Sequence, residues 1–196
     1  MISQIRPAFT LFGLLVLLTG ILYPLTVTGI AQAVFPFQAN GSLIENNSMV
    51  TGSQLVGQDF TGPQYFSGRP SATAGSPYNA YNPITLTGSS GSNLGPLSHF
   101  LHESVQARIK YLRAADPGNV DPIPVDLVTS SASGLDPHIS LEAAYFQVPR
   151  VARARGMSES DVFALVNNHT EGRQFGFLGE PRVNVLLLNS ALDGIQ

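Results

Sequence analysis

Apolar positions dominate the start of the chain without a break. From Phe9 to Thr28 the sequence reads FTLFGLLVLLTGILYPLTVT, and no charged residue stands between Arg6 and Glu45. Roughly 20 mostly apolar residues cross the hydrocarbon core of a bilayer as a helix. Residues 9–30 are therefore predicted as a transmembrane helix, with residues 1–8 before it and residues 31–196 after it. Pro24 and Gly29 suit such a helix better than a soluble one. Tyr23 lies toward the far end, where aromatic rings meet headgroups.

Beyond the span the pattern changes. Residues 57–96 are rich in Gly, Pro, Ser and Asn, yet hold Phe60, Tyr65, Phe66, Tyr78 and Tyr81. Such a stretch is a loop folded on its own domain or a docking loop for a partner. Leu97, Phe100, Leu101, Val105, Ile109 and Leu112 recur at helical spacing, with Pro96 in the first turn and Ser92 or Asn93 as cap. Asp116-Pro117-Gly118-Asn119 ends that helix. Val120 to Val128 reads as an edge or extended segment, interrupted by Pro122 and Pro124. A second helix is predicted from about Ile139 to Arg155, with Asp136 capping its start, Gly156 as C-cap, and a kink or split at Pro149. Ser158 caps a third, with Asp161 three residues on and Val162, Leu165 and Val166 inward. Val183 to Leu188 reads as a buried strand. The expected fold is α+β: one N-terminal transmembrane helix followed by a single mixed domain.

Charge adds an orientation. Arg6 is the only one of ten Lys and Arg residues that precedes Pro36, so nine face thirteen Asp and Glu beyond it, a net −4. Positive-inside asymmetry puts the N-terminus in the cytoplasm and residues 31–196 outside, in the cytoplasmic (inner) membrane with a single pass. From the residues alone a cleaved signal peptide also fits, since Ala31-Gln32-Ala33 is a small-x-small site. The long apolar run favours an anchor. Both readings export the domain.

Composition excludes several chemistries. With no cysteine, disulfides, thiolate zinc sites and thiol catalysis are absent. The single lysine, Lys110, lies between Ile109 and Tyr111, so there is no Gly-Lys-Ser/Thr phosphate loop. Basic clustering of the nucleic-acid kind is missing. His99 and His102 share a helix without the zinc motif and read as a surface pair. Ser133, Asp136 and His138 lie within six residues, which fits a structured turn better than a triad. Ser92-Asn93-Leu94-Gly95-Pro96 reads as a cap and turn rather than an anion site. Glu180 and Arg182 are expected to pair across a turn. Gln147, Arg150 and Arg153 share a helix face that is solvated, packed on the domain, or able to grip a phosphate. No catalytic residue and no metal ligand is assigned.

Several stretches in order are more specific: LTGILYPL (18–25), GSQLVGQ (52–58), YFSGRPSA (65–72), GSNLGP (91–96), SGLDPHIS (133–140), Gln147 to Gly156, and GEPRVNV (179–185). With them the chain resembles the C subunit of the bacterial Kdp potassium-transporting ATPase. The resemblance implies one uncleaved transmembrane helix and an extracytoplasmic domain. It implies partners: a channel-like potassium-translocating subunit, a P-type ATPase subunit and a small single-helix subunit. It also implies an assembly factor and catalytic chaperone that raises the ATPase subunit's ATP affinity, with no tightly bound cofactor and ATP reached through the complex. Nucleotide contact is assigned to Gln147 and Arg150. Partner contact is assigned to Tyr23 and Pro24 in the membrane and to Tyr65, Phe66, Arg69 and Tyr81 outside. Because the charge pattern places the domain away from cytoplasmic ATP, the effect on ATP affinity is expected to be allosteric. The remaining alternative is a free-standing, membrane-anchored exported binding domain. Pro149 departs from the helix-compatible residue the family carries there.

Overall fold

The computed structural model describes residues 4–46, 49–84 and 86–194. Residues up to Thr51 form one compact unit and residues from Gly52 a second.

The first unit is built on α1, an apolar helix from Ile5 to Val34 whose most apolar 18 residues have mean hydropathy 2.1. Thirty residues at 1.5 Å each give about 45 Å, longer than the hydrocarbon core of about 30 Å. It runs four residues past the predicted span at each end. Leu18–Leu22 forms a π-helical turn, in which the Tyr23 amide reaches back to the Leu18 carbonyl. The proline that follows, Pro24, has no N–H to offer the ladder, and a π turn is one way a helix accommodates such a gap. The hydroxyls of Thr10 and Thr19 donate to the carbonyls of Arg6 and Leu15 at 3.0 and 2.7 Å, so these polar groups are satisfied within the helix. Short α2 (Pro36–Ala39) follows, and the amides of Gln32 and Asn40 close on each other at 3.2 Å. Strands β1 (Leu43–Asn46) and β2 (Met49–Ser53) pair as a two-stranded sheet.

In the second unit, β3 (Tyr81–Asn82) and β4 (Thr87–Gly88) make a small antiparallel pair. Helix α3 (His99–Ala115) starts at Ser98, not at Ser92 or Asn93. Its helical periodicity is real but only Leu112 is buried; Leu97 is 99% exposed. Then come β5 (His138–Ser140), α4 (Leu141–Arg155), α5 (Glu159–Asn168), β6 (Thr170–Glu171), β7 (Arg182–Asn184) and α6 (Val185–Asp193). The strands form one antiparallel sheet in the order β5-β7-β6, with Ile139 opposite Val183.

The core lies between this sheet and the helices. Ala143, Ala144, Val148 and Val151 of α4 are fully buried, as are Val162 and Val166 of α5. Small side chains at these spacings let the two helices approach closely.

Four sequence expectations change here. Ser140 caps α4, its hydroxyl accepting from the Ala143 amide at 3.0 Å, while Asp136 closes a turn onto the His138 amide. Helix α4 is not split: it runs unbroken through Pro149 to Gly156, which holds the expected left-handed C-cap at φ 66°. Val183 to Leu188 is not one strand. Asn184 accepts from the Leu187 amide at 3.1 Å and starts α6 there, because a buried apolar run alone does not distinguish strand from helix. Glu180 does not pair with Arg182: Glu180 meets Arg173 at 2.5 Å and Arg182 meets Glu171 at 3.0 Å. The third helix matches its prediction, with the Ser158 hydroxyl accepting from the Asp161 amide.

Candidate functional site

Residues 63–67 have no secondary structure of their own, so their backbone polar groups must find other partners. Side chains of α4 and α6 supply them. Arg150 donates to the carbonyls of Pro63 at 2.6 Å and Tyr65 at 3.0 Å. Arg155 donates to Gln64 at 2.8 Å. Asn189 accepts the Phe66 amide and donates to the Phe66 carbonyl, both at 2.9 Å, as a neighbouring strand would. Gln147 does the same for Ser67 at 2.8 and 3.2 Å. Five consecutive carbonyls are thus held by four side chains. Gln147 and Arg150 also bond each other at 2.8 Å, so they face together despite Pro149. Burial pushes the Arg150 guanidinium below its usual pKa.

This clasp sets the position of four residues singled out above. Gln147 is 2% exposed, and its oxygen and nitrogen are both engaged. Phe66 is a core residue rather than a surface one, at 0% exposed. Tyr65 is half-buried, its ring under the Arg155 guanidinium at 5.0 Å and its hydroxyl on Asp193 at 3.2 Å. Among the contact candidates, Tyr81 and Tyr23 are exposed.

Arg69 belongs to a second feature, a cleft of about 600 Å³ whose lining includes Arg69, Asp126, Asp136, His138, Glu142 and Arg182. Arg69 reaches Asp136 at 3.3 Å and the Ser130 carbonyl at 3.3 Å. His138 lies 3.4 Å from Asp136 and 3.9 Å from Glu171. Asp126 accepts from the amide and hydroxyl of Ser140, which fixes the cap of α4. The Ser133 hydroxyl accepts from the Leu135 amide, part of the turn. Among the described residues no three His, Asp or Glu side chains converge as a metal needs. In a neighbouring pocket shared with Arg108 and Tyr111, Tyr78 donates to the Arg69 carbonyl at 2.6 Å, and burial pushes its phenol up to about 12.

Burial alone raises the Asp136 carboxyl, but hydrogen bonds from His138 and the Arg69 charge outweigh it and hold it below its ordinary 3.8. A depressed folded-state pKa contributes stability that is present above the ordinary value and is lost as pH falls through the folded one. Wild type therefore melts above Asp136→Asn at pH 6, and the gap closes as pH falls below about 4. Melting curves across that range check this; a gap independent of pH excludes the carboxylate as its source.

The sequence profile of the family described as K+-transporting ATPase, c chain, matches residues 5–194. The chain belongs to the KdpC family. The Potassium-transporting ATPase KdpC subunit of Dechloromonas aromatica is 57% identical over 194 residues, covering 99% of this chain and 98% of the relative. The subunits of the same name from Methylibium petroleiphilum and Variovorax paradoxus are each 58% identical, over 192 and 191 residues. They cover 98% and 97% of this chain, and 97% and 96% of those relatives. KdpC membership makes this chain a subunit of a potassium-transporting ATPase, as the resemblance implied.

Within this KdpC chain, sequence reasoning named Gln147 and Arg150 but missed Asn189 and Arg155. Asn189 sits inside an apolar run, VLLLNSAL (185–192), where a lone amide is costly unless bonded. That was the available signal.

Proposed function

We propose that this chain is a non-catalytic accessory subunit of the potassium pump, held by α1 in the cytoplasmic membrane with the domain outside. The observation that carries the reading is α1 itself: thirty residues, none buried across its apolar window, with Arg6 near its start. In this reading the chain assembles and stabilises a complex of a channel-like potassium-translocating subunit, a P-type ATPase subunit and a small single-helix subunit. The net −4 of the domain mildly favours cations near the outer mouth of the potassium path. Tyr23 and Pro24 serve membrane contacts, and Tyr65, Arg69 and Tyr81 serve contacts outside.

The chain also raises the ATP affinity of its ATPase partner, acting through the membrane subunits as a coupling free energy between two sites. To reach Gln147 and Arg150 a nucleotide must displace the bonds they make to residues 63–67. Support of that segment is the role we assign to the pair.

The absence of cysteine makes the topology directly testable. Ala154→Cys is labelled by a membrane-impermeant maleimide in intact spheroplasts, whereas Gln4→Cys is labelled only after permeabilisation. The reverse pattern overturns the orientation. In parallel, a tag after Gln196 co-purifies potassium-stimulated ATPase activity from mild detergent. A chain that elutes alone points to a free-standing exported domain.

A further inference from the structure

The connection between β6 and β7 holds a feature that the clasp and the cleft do not use. Between Arg173 and Glu180 the chain is uncharged: Gln174-Phe175-Gly176-Phe177-Leu178-Gly179. Gln174 and Leu178 pair antiparallel, so Phe175 to Phe177 form the turn. Phe175 is 87% exposed, Phe177 69% and Leu178 48%. Phe175 also holds φ +53°, ahead of Gly176 at +81°. A bulky side chain rarely adopts that conformation, because its Cβ crowds the backbone. A turn selected only for its geometry favours Gly or Asn there. The free domain thus bears both a disfavoured backbone and two wet benzyl rings.

The turn bonds four of its amides internally. The amides of Gln174 and Leu178 exchange bonds with each other's carbonyls at 2.9 Å, Gly176 donates to Arg173 at 3.1 Å, and Phe177 donates to Gln174 at 3.2 Å. Each amide bonded internally lowers the cost of leaving water, and the hydrated lipid–water interface still solvates the rest. Behind the tip stand two ion pairs, Arg173–Glu180 and Arg182–Glu171, so its collar is neutral.

We propose that the Phe175-Gly176-Phe177-Leu178 tip inserts into the lipid–water interface, giving the chain a second contact with the bilayer beside α1. This rests on the anchored reading above. A bilayer is favoured over a protein partner for two reasons. Residues 35–51, which lie between α1 and the second unit, span at most about 60 Å even when fully extended. The bilayer is therefore within reach of every molecule, before any partner assembles. A three-residue turn also offers no groove or extended face for a protein to cover. The collar's two arginines, Arg173 and Arg182, are each paired with a carboxylate and leave no net positive charge to recruit anionic lipid. Insertion is therefore driven by apolar area and is indifferent to lipid charge.

The chain has no tryptophan, so Phe177→Trp in the full chain reports on the tip alone. Val120→Trp, at another exposed position (86%), serves as control. Both are reconstituted into phosphatidylcholine vesicles with and without brominated phosphatidylcholine. Phe177→Trp emission shifts to the blue of the control and is quenched roughly twofold by bromine; iodide does not quench it. Adding phosphatidylglycerol leaves these values unchanged. Emission matching the control, quenched by iodide and not by bromine, overturns the proposal. Shielding from both quenchers also overturns it, because protein then covers the tip. Alkaline extraction reads α1 separately: retention with an unquenched tryptophan defeats the tip alone, whereas release from the vesicles defeats the anchored reading as well.

Discussion

Replacing Asn189 with Leu lowers the melting temperature of the detergent-solubilised chain by about 10 °C. The two side chains are close in volume, so packing changes little. What is lost is the pair of 2.9 Å bonds to Phe66. Both are buried, and a buried polar group left without a partner costs about 1–3 kcal/mol. With two groups stranded the loss is about 3–4 kcal/mol, a large fraction of the 5–15 kcal/mol typical of a domain. Gln147→Leu strands the amide and carbonyl of Ser67 and removes the Arg150 partner, with a loss of similar size. Because both side chains grip adjacent residues, the double variant loses less than the sum of the single ones. Additive losses would show that the two grips act independently.

The larger functional effect comes from charge in the membrane. Leu15→Asp combined with Leu18→Asp places two carboxylates near the middle of α1. Each costs about 2.5–3.5 kcal/mol at a helix centre, so the pair shifts the insertion equilibrium by about four orders of magnitude. The chain then leaves the membrane fraction on alkaline extraction, and ATPase activity no longer co-purifies with it. If activity still co-elutes, the domain alone sustains the complex and α1 is dispensable for assembly.

The sequence exposed whatever is governed by neighbours a few residues apart. The apolar span, the Gly156 and Ser158 caps and the α4 and α5 helices are of this kind, since each depends on residues within one or two turns. Three misreadings share the opposite cause. Val183 to Leu188 is apolar whether it forms a strand or a helix, and the switch at Asn184 is set by β5 and β6 alongside Arg182–Asn184. Leu97 and Phe100 have the periodicity of a packed helix face but stay exposed, because periodicity shows which side chains align and not whether anything covers them. Phe66 reads as a docking aromatic in a turn-rich stretch, yet partners 80 and 123 residues away fix its segment inside the core. The pairing of Gln147 with Arg150 could be guessed from their spacing. What they hold could not, since carbonyl acceptors leave no mark on a sequence.

The clasp has a consequence for the order of biosynthesis. Residues 63–67 emerge early, whereas Asn189, which secures Phe66, follows 123 residues later. Until α6 has been made, the Phe66 ring and the polar backbone beside it lack part of their native support, and the long loop must still close. The domain therefore passes through synthesis with an aromatic-rich stretch unsecured, a state open to proteases and in need of holding chaperones. A premature stop anywhere before Asn189 strands the molecule in that state, so a chain cut short of α6 is degraded as a whole.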